Sequence, residues 1–146
     1  MAATFAEHLH CLVDEITCIP DPQERLTLLI DRVKRRPPLP ESARTEANRV
    51  HGCVSAVWLQ GEITDGICYF QTDADSPMVR ALAALYQDLY NKLPVDEVLR
   101  GVNTVIHDIG LGERLSGTRI QGLAAMDLRF KQLALKASQG SGDASP

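Results

Sequence analysis

Cys53 is the residue of this chain best placed to do chemistry. It follows Gly52 and precedes a run containing the only tryptophan, in R-V-H-G-C-V-S-A-V-W-L-Q, residues 49–60. Glycine lets the backbone turn sharply and leaves the next side chain uncrowded. The join between a connector and a strand is also where folds present functional groups. Such a thiol is either a nucleophile acting through its thiolate or a small buried hydrophobe, the commoner state of an unpaired cysteine. His51 stands two residues earlier, on the same side of an extended segment. There it could lower the thiol pKa or act as a base, or be a solvated loop residue. A Cys–His hydrolase pairing Cys53 with His51 or His107 lacks a third orienting group and an oxyanion motif.

The other thiols read more plainly. Cys11 and Cys18 are seven residues apart, which puts them two helical turns from each other and too distant to share a metal within one helix. Cys68 lies in an apolar strand beside Phe70 and is expected to be packed. If the hairpin turns at Asp65-Gly66, Cys68 pairs near Ile63. That leaves it roughly 30 Å along the strand from Cys53, at ~3.3 Å per residue, far beyond disulfide reach. In H-L-H-C the side chains of His8, His10 and Cys11 do not converge on a helix. With no Cys-x-x-Cys pair present, no metal site is expected.

The elements that must position Cys53 follow from patterning. Phe5, Leu9, Leu12, Val13 and Ile16 recur at helical spacing. D-P-Q-E starts a second helix, with Asp21 as cap, Pro22 first inside and Glu24 at the capping-box position. Leu26, Leu29, Ile30 and Val33 form its stripe. R-P-P-L-P-E-S-A-R-T-E-A-N-R is an exposed connector. Residues 54–63 and 67–72 read as strands of a hairpin with a type I′ turn at Asp65-Gly66. Ser76-Pro77 opens a third helix carrying Val79, Leu82, Leu85, Tyr86 and Leu89. Residues 94–107 hold a short helix and a further short segment. The last and longest helix is capped by Ser116, and the polar tail 138–146 reads as disordered. The class is α+β, a small antiparallel sheet with several helices, as one domain over 1–137.

Composition narrows the function. The 146 residues are 45% hydrophobic and 23% charged, ordinary for a globular protein. A net charge of −4 argues against nucleic acid, whose phosphates need clustered Lys and Arg. The one cluster, Lys34-Arg35-Arg36, suits a helix C-terminus. No apolar run is long enough for a bilayer, and the first residues lack the basic-then-apolar pattern of a leader. Four cysteines do not form a dense disulfide framework, so a cytoplasmic setting with reduced thiols is expected.

Three blocks then carry a family resemblance. N-R-V-H-G-C-V-S-A-V-W, residues 48–58, resembles the N-x-[V/I]-x-G-C-x-S-x-V-W signature of the SufE family of sulfur acceptors. D-A-D-S-P-M-V-R-A-L, residues 73–82, resembles its Asp-x-Asp segment leading into a helix. G-L-G-E-R-L-S-G-T-R-I-Q-G-L-A-A-M, residues 110–126, resembles its Leu-[S/T]-x-[S/T]-Arg-x-x-Gly-Leu-x-x-Met motif. With the two opening helices, the resemblance covers residues 5–135.

The resemblance implies a SufE/IscU-like α+β fold and a strand around residues 48–51. It implies that Cys53 accepts persulfide sulfur from a SufS-type cysteine desulfurase, a PLP enzyme, and passes it to a SufBCD-type iron–sulfur scaffold. The protein itself would hold no cofactor. Arg119, Asp73, Asp75, Gly52 and His51 are the expected partner-binding positions, although His51 occupies a variable position of the family and Arg119 could equally serve to fix the start of the last helix. Gly117 stands where the family often has proline, which predicts a looser start to the last helix. His107 and Asp108 replace a frequent aromatic-acidic pattern. Two alternatives accompany this reading. One is a partner that activates the desulfurase by docking alone. The other is an IscU-like cluster scaffold, disfavoured because only Cys53 is suitably placed.

Overall fold

The computed structural model describes residues 3–143. Helix α1 spans Phe5–Thr17, where the Thr4 hydroxyl accepts the Glu7 N–H. Helix α2 spans Pro22–Lys34, and the Asp21 carboxylate caps it by accepting the Gln23 N–H. The side chains that predicted these helices point inward: Phe5 and Ile16 from α1, and Leu26, Leu29 and Val33 from α2, are buried. The chain then runs through two short 3-10 turns, Glu41–Ala43 and Glu46–Asn48, before entering the sheet.

Strands β1 (Val57–Thr64) and β2 (Ile67–Ala74) form the expected antiparallel hairpin. Asp65 and Gly66 both have positive φ, 54° and 78°, the requirement of a type I′ turn. The register pairs Ile63 with Cys68 and Val57 with Ala74. A two-residue strand β3, Leu93–Pro94, extends the sheet beyond β2. Helix α3 spans Pro77–Tyr90, and short helices α4 (Val95–Arg100) and α5 (Val105–Asp108) follow. Helix α6, Gly117–Asp143, is the longest, and its first turn is closed by the Ser116 hydroxyl accepting the Arg119 N–H. Its last turns occupy the segment expected as a disordered tail, whose residues 144–146 lie outside the described residues.

Helices α3 and α6 pack on the sheet, and α1 and α2 pack on α3. An aromatic cluster joins them. Phe130 of α6 meets Phe70 of β2 edge-on at 4.9 Å and Tyr90 of α3 at 5.0 Å, and Tyr90 meets Phe5 of α1 at 5.6 Å. Edge and offset contacts of this kind suit the ring quadrupoles.

Two details depart from expectation. The first strand begins at Val57, because Val54 is 83% exposed and belongs to the loop that carries Cys53. The strand implied around residues 48–51 shrinks to one bridge, Arg49 with Trp58, plus the Val50 N–H donating to the Val57 carbonyl at 2.8 Å. A 3-10 turn ends just before it, and Gly52, with φ of 96°, turns the chain away just after it.

Candidate functional site

Cys53 sits on a short loop whose base is the Val50–Val57 hydrogen bond. Gly52 forms the bend: its φ of 96° is one that side chains with a Cβ rarely adopt. A Cβ there would also lie 3.0 Å from the Ala125 Cβ of α6. The bend lays the loop against α6, where the half-buried Cys53 thiol donates to the Gly122 carbonyl at 3.4 Å. Gly52→Ala is expected to strain this bend by about 1–3 kcal/mol. The loop should yield before the helix does. Reaction of Cys53 with a bulky disulfide reagent would then speed up several-fold while the urea midpoint stays nearly constant. Unchanged thiol kinetics would show that the bend does not seat the thiol.

The thiol opens onto a cleft of about 170 Å³ between the loop, α3 and the start of α6. Val79, Leu82, Leu123 and Met126 form its apolar wall, and Ser116, Thr118 and Arg119 its polar edge. Burial pushes the Cys53 thiol pKa up, and the positive charge of Arg49 opposes this in part. The resting residue is therefore a thiol held back from ionising. Val54, beside it, projects into solvent.

Arg119 lines the cleft edge in the first turn of α6, and its guanidinium meets no carboxylate among the described residues. Asp75 is exposed at the end of the hairpin, and its N–H donates to the carbonyl of Ala56 in the Cys53 loop at 3.1 Å. His51 faces away from the cleft. Its Nε2 is 3.5 Å from a Glu46 carboxylate oxygen, and it borders a separate groove between the connector and α6. His107 borders another groove, beside Tyr86 and Asp127. Neither histidine can serve Cys53 as a base from these positions, so the hydrolase arrangement has no support.

Asp73 needs correcting. Expected at a partner surface, it is 1% exposed and cannot contact a partner. It pairs across the hairpin with Trp58, at the end of the sheet's outer face that the connector covers. Its carboxylate accepts from the Leu39 N–H at 2.9 Å, the Ala74 N–H at 2.8 Å, Arg44 at 2.6 Å and Arg80 at 3.1 Å. Burial alone raises a carboxyl pKa, but here Arg44 and the two N–H donors outweigh it and hold Asp73 below its ordinary value.

The remaining thiols are unpaired: Cys11 and Cys18 are exposed, and Cys68 is buried, its pKa pushed up to about 11 by desolvation. In H-L-H-C, His8 turns inward and donates from Nδ1 to the Leu89 carbonyl at 2.9 Å, while His10 lies beside Asp14 in solvent. Among the described residues, no three of the His, Cys, Asp and Glu side chains are grouped to hold a metal ion.

The model of the SufE family, an Fe–S metabolism associated domain, matches residues 10–134. The chain belongs to the SufE family. It is 33% identical over 135 residues to an uncharacterized SufE-like protein of Rhizobium etli, covering 89% of this chain and 91% of that one. It is 30% identical over 135 residues to an uncharacterized SufE-like protein of Synechocystis, covering 92% of this chain and 83% of that one. The solution structure of a hypothetical protein from Thermus thermophilus shares the fold, with a TM-score of 0.74 at 23% identity over 90% of this chain and 96% of the other. Membership of the SufE family associates the protein with iron–sulfur metabolism and sulfur transfer. No helix among the described residues is long and apolar enough to cross a membrane.

Proposed function

We propose that this protein is a sulfur carrier: Cys53 takes the outer sulfur of a persulfide on a SufS-type cysteine desulfurase and delivers it to a SufBCD-type iron–sulfur scaffold. The observation that carries the reading is the Cys53 thiol on a glycine-bent loop at the mouth of an apolar cleft, within a SufE-family domain.

Uptake is an exchange at sulfur. The Cys53 thiolate attacks the outer sulfur of the donor persulfide, the donor cysteine leaves as a thiolate with the electron pair, and Cys53 becomes the persulfide. Burial suppresses the thiolate at rest. Swinging the loop outward on its Val50–Val57 base removes the desolvation and exposes the nucleophile to the donor. Swinging back places the outer sulfur in the cleft, beside the flank of Gly122, where no side chain stands. Arg119 at the rim and Asp75 at the loop's second anchor are the groups we assign to partner contact, with Gly52 as hinge. His51, exposed beside Glu46, would reach a partner only from the outer side of the loop.

Desulfurase turnover with free cysteine separates carriage from docking. Wild type should raise the steady-state rate several-fold, and Cys53→Ser should abolish the increase while still competing with wild type for the desulfurase. If Cys53→Ser stimulates as well as wild type, the protein activates by docking alone.

A further inference from the structure

Residues 49–51 and residues 53–55 line different depressions, separated by the bend at Gly52. The second is the thiol cleft. The first is a groove of about 440 Å³ between the connector, the base of the Cys53 loop and α6, and it shares no lining residue with the cleft. Arg49 and Arg129 border it. Arg49 is braced on Trp58, its guanidinium carbon 5.8 Å from the ring centroid, with Arg44 at 5.1 Å from the same ring. The Arg44 charge is already taken by the Asp73 carboxylate at 2.6 Å. Arg129 donates from Nη2 to the Ala47 carbonyl at 3.1 Å, and its Nε is buried with no hydrogen-bond partner among the described residues. Neither Arg49 nor Arg129 meets a carboxylate among the described residues. The carboxylate among the lining residues, that of Glu46, lies 3.5 Å from His51 Nε2, and both side chains are well exposed. In a chain of net charge −4, this groove reverses the sign locally. Guanidinium groups held by an aromatic face and a backbone carbonyl are pre-organised for carboxylates, which they bind through paired N–H donors. Leu128, 56% exposed, adds an apolar contact at the same groove.

We propose that this groove docks an acidic segment of the desulfurase, with carboxylates on Arg49 and Arg129 and an apolar side chain on Leu128. The choice of partner rests on the carrier reading. A loop that enters another protein's active site is surrounded by the rim of that site, so the partner meets both flanks of the loop. The cleft flank offers an apolar wall and Arg119, and the outer flank offers the groove. The groove is built on α6, the connector and the base of the loop, below the Val50–Val57 hydrogen bond on which the loop swings. It therefore keeps its shape when Cys53 moves, and holds the partner through the transfer. The complementary chemistry is that of a protein segment. A nucleic-acid backbone needs a longer array of positive charge than two guanidinium groups, and a small carboxylate would leave Leu128 uncovered.

The test is the association rate of the full chain with an immobilised SufS-type desulfurase, PLP bound and cysteine absent, from about 50 mM to about 1 M NaCl. Arg49→Gln and Arg129→Gln should each slow association at low salt by about 2- to 5-fold, and the pair by about 5- to 20-fold. The rates should converge with wild type near 1 M salt, where screening acts within ~3 Å. Arg49→Lys, which keeps the charge, should retain most of the wild-type rate. Because Arg129 also holds the Ala47 carbonyl, urea midpoints accompany the rates, and Arg49→Gln alone decides if the Arg129 variant does not fold. Unchanged rates, equal slowing at every salt concentration, or a lysine variant as slow as glutamine would each overturn the docking role. Adding cysteine and reading intact mass then tests the carrier reading separately. Charge-dependent association with no sulfur gained on Cys53 would sink that reading and leave the groove standing. Sulfur gained by variants that associate as fast as wild type would do the reverse.

Discussion

Replacing Asp73 with Ala is expected to cost the fold about 2–4 kcal/mol, read as a lower urea midpoint with an unchanged slope. Removing one member of a buried ion pair leaves the other charge uncompensated, which commonly costs about 3–5 kcal/mol. The range is lowered here because the Arg44 and Arg80 side chains are 34% and 22% exposed, and water takes up part of the charge. Two N–H donors, those of Leu39 and Ala74, lose their acceptor as well. The damage should spread to the connector, because Asp73 fixes it at Leu39 and Arg44, and Arg44 in turn packs on Trp58. A variant within about 0.5 kcal/mol of wild type would mean that the connector is held by its apolar contacts instead.

The same carboxylate gives the fold an acid limit. The Asp73 pKa in the folded state lies below its ordinary value, so the stability it contributes is fully present above the unfolded-chain pKa, about 3.9. That contribution is lost as pH falls through the folded value. Wild type should therefore lose more stability than Asp73→Ala between about pH 4 and pH 2, and the two curves should converge in acid. Parallel curves would remove Asp73 from the account.

Asp73 also shows where reading the sequence stops. Cys68 and Phe70 are inward-facing residues of β2, and Asp73, one residue past the strand read from the sequence, continues the outer face with Tyr69 and Gln71. What alternation cannot convey is that a connector about 30 residues upstream folds over that end of the face, so an outer position becomes a buried one. The Arg44–Trp58–Arg49 stack is hidden for the same reason, being a contact between segments with no shared period. The hairpin was legible because turn type and register are local: Asp-Gly requires positive φ, and the pairing of Ile63 with Cys68 follows from it. Helix starts were legible through Asp21 and Ser116, whose side chains accept the N–H groups that their spacing predicts. Of the two readings open for His51, the structure shows the solvated loop residue, because Gly52 bends the chain and adjacency to Cys53 on an extended segment does not hold.

Cys53→Ser should have the largest effect on function, a complete loss of sulfur uptake with little change in fold. Oxygen replaces sulfur in a side chain of nearly the same shape, so the loop and the cleft are retained. A hydroxyl cannot form the persulfide, and no other thiol can substitute easily. Cys68 is buried with its pKa pushed up to about 11. Cys11 and Cys18 are exposed on or just after α1, away from the cleft and the loop that would enter a donor's active site.

The most direct measurement is intact mass after incubation with a SufS-type desulfurase, its PLP and cysteine, recorded before and after reductant. The account predicts a gain of one or more sulfur atoms on the wild-type chain, removed by reductant, retained by the Cys11→Ser and Cys18→Ser variants and absent from Cys53→Ser. A wild-type chain whose mass does not change with a competent desulfurase, or a gain that persists in Cys53→Ser, would contradict it.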